Sequence, residues 1–171
     1  MSRLNSLSAD ALRAMFSQES DDSLIVLLTI SSSEISPTLR LADNYTGRLS
    51  ETATDVVYGV TSNSNQYVFL PFTLTLPTEE ENSVPRCQII INDVTRYLTP
   101  VIRSITTPPN VQIDLVLKSA PDTVEISFGG FLLSNISYNA NQITADLTVE
   151  SLAVEPFPSH TFTPSYFPGL F

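Results

Sequence analysis

Between Val84 and Ser119 the spacing of apolar residues changes from two to 3.6 and back again, a switch found nowhere else in the chain. Cys87, Ile89 and Ile91 face one way while Arg86, Gln88, Ile90 and Asn92 face the other, which predicts a strand with a well-specified inner side. Val94, Tyr97, Leu98, Val101, Ile102 and Ile105 then recur on one helical stripe, predicting a short helix over about 94–105. Pro100 would remove a backbone hydrogen bond from a continuous helix, and Thr99-Pro100 makes a good cap and first position. A tight turn over Val94 to Leu98 and a helix proper from Pro100 to about Ile105 follow. Thr107-Pro108-Pro109 ends it, and Val111, Ile113, Leu115 and Leu117 alternate with Gln112, Asp114, Val116 and Lys118 as a long strand.

The remaining elements read as sheet with one addition. Ser8 before ADALRAMF predicts a capped helix from Ala9 to about Ser17, with Leu12, Met15 and Phe16 on one side. The run from Ser23 to Ile30 is short and continuously apolar, as a central strand buried on both faces must be. Thr38 to Ala42 returns beside it, and Arg48 to Asp55, which has no period, reads as a surface loop. Val56 to Thr61 and Gln66 to Leu70 form a hairpin about a four-residue reversal, Ser62 to Asn65. Phe72, Leu74 and Leu76 alternate with Thr73 and Thr75, and Pro71 and Pro77 confine that strand to a sheet edge. Thr123 to Phe128 is broken by Gly129-Gly130, after which Phe131 to Tyr138 pairs with Gln142 to Val149. The expectation is a mainly-β fold: β-sandwich or barrel-like antiparallel sheets, one short helix packed on the sheet, and a short N-terminal helix. Residues 1–22 form an N-terminal helix and arm, 23–155 the β-sandwich domain and 156–171 a proline and aromatic tail.

Composition narrows the function. Charged residues are only 15% of the 171, against about 25% in ordinary soluble domains, so the wet surface must be built from Ser, Thr, Asn and Gln. Eighteen acids against eight bases give a net charge of -10, which repels nucleic acid instead of gripping it. A single cysteine excludes an internal disulfide, and no apolar run approaches the ~20 residues that span a bilayer. The N-terminus lacks the uninterrupted apolar stretch of a signal peptide, so folding in the cytoplasm that makes the chain is expected.

No constellation for catalysis stands out. The only histidine, His160, lies among prolines, and Cys87 alternates with isoleucines as a small buried hydrophobe. Asp21-Asp22 and Glu79 to Glu81 lack the interleaved spacing of a calcium loop, and one His with one Cys makes no zinc set. Gly129-Gly130 has no phosphate-loop context, and the acceptor triplets at Asn44 and Asn135 are of a length that occurs by chance. No catalytic residue, metal or cofactor is expected, and the chain does not read as an enzyme.

Two features point to assembly. The C-terminal EPFPSHTFTPSYFPGLF carries Phe157, Phe162, Tyr166, Phe167, Leu170 and Phe171 in an extended, proline-rich context, so it must wrap its own domain or dock on a neighbour. With Phe72, Leu74 and Leu76 of the edge strand, these are the candidate interface residues. Glu79, Glu80, Glu81, Asp114 and Asp146 are candidates for an acidic rim or lumen.

The segments SLIVLLTI, VTSNSNQYVFLPFTLTLP, VPRCQIIINDVTRYLTPVIRSI, PNVQIDLVLKSAPDTVE and the terminal FTPSYFPGLF together resemble a family of small virion proteins of long-tailed bacteriophages, from about Ser23 to Phe171. The resemblance implies a distal tail or tail-tip role: subunits in a ring, a hexamer, joining the tail tube to the tip and hub proteins. It implies localisation in the virion and a channel through which DNA passes without specific binding; an acidic lumen would keep the phosphates from adhering. It carries over no catalytic residue. The other reading is a carbohydrate-binding β-sandwich in which Tyr45, Tyr58, Tyr67 and Tyr138 stack on sugars.

Overall fold

A computed structural model describes residues 7–20, 22–52, 55–75, 86–93, 96, 98–139, 141–149 and 169. The elements run α1 (Ala9–Phe16), β1 (Leu24–Ser31), β2 (Leu39–Ala42), β3 (Gly47–Glu51), β4 (Val56–Ser62), β5 (Asn65–Phe69), β6 (Phe72–Thr75), β7 (Arg86–Asn92), α2 (Thr99–Ser104), β8 (Asn110–Leu117), β9 (Val124–Tyr138) and β10 (Gln142–Val149). The fold is mainly β and sandwich-like, with two short helices among the described residues. Hydrogen bonding runs through ten strands in the order β3-β4-β5-β2-β1-β8-β9-β10-β7-β6. Every pair is antiparallel except β2 with β5. That pair is parallel because the β3–β4 hairpin intervenes and returns the chain in the same sense.

β1 lies inside the sheet, between β2 and β8, and both of its faces are covered. Leu28 and Ile30, with Val26 beside them, join Leu39, Leu41, Cys87, Ile89, Ile91, Val111, Ile113, Leu133, Ile143 and Leu147 in the main core. Ile25 and Leu27 point the opposite way, into a smaller cluster with Ala42, Val60, Tyr67 and Val116. The continuously apolar sequence of this strand is what two buried faces require.

Helix α2 sits on the main core through Leu98, which is fully buried, and through Val101, Ile102 and Ile105. Its start is fixed by Asp93, itself buried at the end of β7. The carboxylate Oδ2 accepts the amides of Leu98 and Thr99 at 3.0 and 3.2 Å and the Thr99 hydroxyl at 3.1 Å. The cap is therefore an aspartate reaching forward from the strand, and Thr99 donates to it. At α1 the expected cap forms: Ser8 Oγ accepts the Ala11 amide at 3.1 Å, while Ser8 donates its own amide and hydroxyl to buried Glu125 on β9. Ala11 is buried, whereas Met15 and Phe16 are exposed.

Three local expectations are corrected. Arg48 to Glu51, read as part of a surface loop from Arg48 to Asp55, belongs to strand β3, held by backbone pairing to β4 along an exposed edge, so it needs no apolar period. Gly129-Gly130 does not end a strand. β9 runs fifteen residues through it, and the pairing with β8 shifts by one residue there, Gly130 taking a φ of 79°. The β4–β5 reversal is a two-residue turn, with Asn63 and Ser64 both left-handed at φ 47° and 64°, the geometry that suits the twist of a tight hairpin.

Candidate assembly surfaces

The sheet ends at β6 on one side and β3 on the other, and among the described residues neither outer edge is paired. Such edges present unpaired backbone groups to any neighbouring strand. β6 lies where the prolines predicted. Phe72 and Leu74 are half-buried and pack against the main core, so the strand offers its backbone outward while its apolar side chains cover the core of its own chain. Leu76, Glu79, Glu80, Glu81, Phe157, Phe162, Tyr166, Phe167, Leu170 and Phe171 lie outside the described residues, as does His160.

The two remaining acids do not form one surface. Asp114 is only 7% exposed, and its carboxylate accepts the Gln112 amide nitrogen at 3.0 Å and the Ser127 hydroxyl at 2.5 Å. It does not act as an open rim or lumen carboxylate, because β8 turns it inward beside Leu27 and these two neighbours hold it there. Asp146 is half-buried on β10, two strands away, and accepts Asn135 Nδ2 at 3.0 Å. Around it the outward positions of β6, β7, β9 and β10 include Thr73, Thr75, Gln88, Asn92, Ser134, Ser137, Thr144 and Thr148, a mostly polar face interrupted by Ile90 and Leu132.

Tertiary pairing creates two groupings that sequence spacing hides. Tyr45 stands 5.1 Å from the Tyr58 ring and 5.3 Å from Phe69, and both tyrosines are more than 40% exposed. The residues come from the β2–β3 connection, β4 and β5, so only the strand order brings them together. Arg103 of α2 lies over Tyr138 at 5.2 Å, beside Arg96 and Asn139. Tyr67 is buried in the smaller cluster. The four tyrosines considered for sugar stacking therefore fall in three separate places.

No family model matches this chain, and no curated protein does.

Burial pushes the Asp43 carboxyl above its ordinary value, although Oδ1 accepts the Val26 amide at 2.8 Å. Glu34, on the surface, is held below the usual range by the Thr106 hydroxyl and amide, which tie the β1–β2 connection to the end of α2. Burial raises the Cys87 thiol, which donates to the Thr75 carbonyl and is thereby kept from thiolate chemistry. Among the described residues no group of three His, Cys, Asp or Glu side chains is placed to hold a metal, and no helix is long and apolar enough to cross a membrane.

Proposed function

We propose that the protein is a structural subunit of the tail tip of a long-tailed bacteriophage, present in the virion as copies closed into a ring, a hexamer, between the tail tube and the tip and hub proteins. The observation that carries this reading is the open end of the sheet at β6, whose backbone groups are free to pair among the described residues while its side chains are already used. A neighbour can add to such an edge without disturbing the core. The polar face around Asp146 favours contacts through many hydrogen bonds, and a net charge of -10 suits a passage that DNA must cross without sticking. The phage assignment itself rests on the sequence resemblance that ends in FTPSYFPGLF.

Mass photometry with electron microscopy of the purified protein tests the ring directly: closed rings of uniform size are expected, and a strict monomer at micromolar concentration in the presence of its tube partner would overturn the reading. Deleting Phe162 to Phe171 should leave a folded chain that no longer assembles.

A further inference from the structure

The smaller face of the sheet carries a cleft that the assembly reading does not use. Its floor is made by cross-strand neighbours: Arg40 opposite Thr29, Thr29 opposite Gln112, and Asp114 opposite both Leu27 and Ser127. The β4–β5 hairpin forms a wall over this floor. Its tip is pinned across the sheet to the β8–β9 loop, the Asn63 amide donating to Asp122 Oδ1 at 2.7 Å and Asn63 Nδ2 to the Asp122 carbonyl at 3.2 Å. The cleft is open to solvent on one side and has a volume of about 450 Å³, within the size range of small-ligand sites.

Two groups lining this space lack partners. Ser62 is 97% buried by relative area, 3% being exposed, yet its hydroxyl makes no hydrogen bond among the described residues. Arg40 is half-buried and likewise has no hydrogen bond or ion pair among the described residues. A buried hydroxyl left unpaired, as at Ser62, is costly and uncommon in folded chains, whereas the half-buried Arg40 keeps its guanidinium available at the cleft. Facing them, Asp114 uses both carboxylate oxygens on Gln112 and Ser127 but keeps further lone pairs, and the Thr29 and Tyr67 hydroxyls lie 3.4 Å apart in a long contact that a better partner would displace.

We propose that this cleft binds a neutral, hydroxyl-rich ligand of saccharide type. One guanidinium and one carboxylate cancel in charge, which disfavours an ion of either sign. The rest of the polar lining consists of hydroxyls and amides, which both donate and accept, the complement of vicinal sugar hydroxyls. Val124, which is exposed, supplies apolar contact for the C–H face of a ring. The site is separate from the exposed Tyr45–Tyr58 pair and engages Tyr67 through its hydroxyl instead of by stacking. It holds whether or not the chain closes into a ring.

Saturation-transfer NMR on the full chain, with glucose, galactose, mannose and N-acetylglucosamine as probes, tests this in any assembly state. At least one sugar should bind with a Kd in the range of about 1–10 mM. Ser62→Ala removes a hydroxyl on which no described residue depends, so the variant folds; it and Arg40→Gln should each weaken binding about fivefold or more. Tyr58→Ala and Arg103→Gln should leave it unchanged. No signal from any of the four sugars at about 50 mM, loss of the signal in Tyr58→Ala, or displacement of the bound sugar by acetate at equal ionic strength would each overturn the proposal.

Discussion

Replacing Asp93 by alanine isolates the contact that joins the two periodicities of the chain. The carboxylate receives three donors, two of them backbone amides at the first turn of α2, and Leu98 is fully buried, so its amide has no access to water once the acceptor is gone. Loss of a helix cap costs about 0.5–2 kcal/mol, and a buried amide left unpaired adds about 1–3 kcal/mol. Removing a buried carboxylate also relieves its desolvation, which offsets part of the loss. A net destabilisation of about 2–4 kcal/mol is therefore expected for Asp93→Ala. Asp93→Asn keeps an acceptor oxygen and should cost about 1 kcal/mol, roughly half of what a hydrogen bond to a charged group contributes. Urea unfolding followed by circular dichroism reads this as a lower midpoint at unchanged slope. Hydrogen exchange at the Leu98 and Thr99 amides should accelerate together. An alanine variant within about 0.5 kcal/mol of the parent, with both amides still protected, would refute the assignment of Asp93 as the anchor of α2.

Ile102→Asp places a charge over the apolar void of about 20 Å³ between α2 and the sheet, and should abolish soluble expression; a well-folded variant would sink the packing described for α2. Gly59→Ala drives a methyl group into the Tyr67 carbonyl and the Leu49 side chain, so β4 should part from β5, seen as loss of amide protection in both strands and a fall in melting temperature. Asp43 has a folded pKa raised by burial, so its favourable contribution is complete below the ordinary aspartate value and is lost as pH rises through the folded one. Asp43→Asn, which keeps an acceptor for Val26, should therefore melt higher than the parent at neutral pH and match it once the pH is below the ordinary aspartate value; melting curves across pH would detect the crossover.

Periodicity was a reliable guide wherever one face of a strand is buried. Cys87, Ile89 and Ile91, and Ile143, Ala145 and Leu147, fall on the core side as their alternation requires. Pro71 marked β6 as an edge because a proline cannot serve an interior ladder. β3 left no such trace: an exposed edge strand is held by its backbone, and Gly47-Arg48-Leu49-Ser50-Glu51 has no face to bury. Glycine pairs read equally well as a break or a bulge, and only the register with β8 decides for Gly129-Gly130. The β6 edge was legible, whereas the cleft was not. Thr29, Arg40, Ser62 and Asp114 lie on four strands, and their meeting depends on strand order and on the Asn63–Asp122 brace. Asp114 looked like any outward position of an alternating strand, and its burial follows from the second apolar cluster on what a single-faced sheet would leave wet.

The position of β1 has a consequence for biosynthesis. One edge of this strand is satisfied early, by β2, but the other pairs with Asn110–Leu117, roughly 80 to 90 residues further along the chain. At about 5–20 residues per second the ribosome needs about 4–18 s to deliver that partner. During that interval an apolar segment, with one edge unpaired and both faces uncovered, is available to any other nascent copy. Polysomes making many copies at once would face this hazard most acutely, and holdase chaperones that shield residues 24–31 would raise the yield of native protein more than agents that act after release.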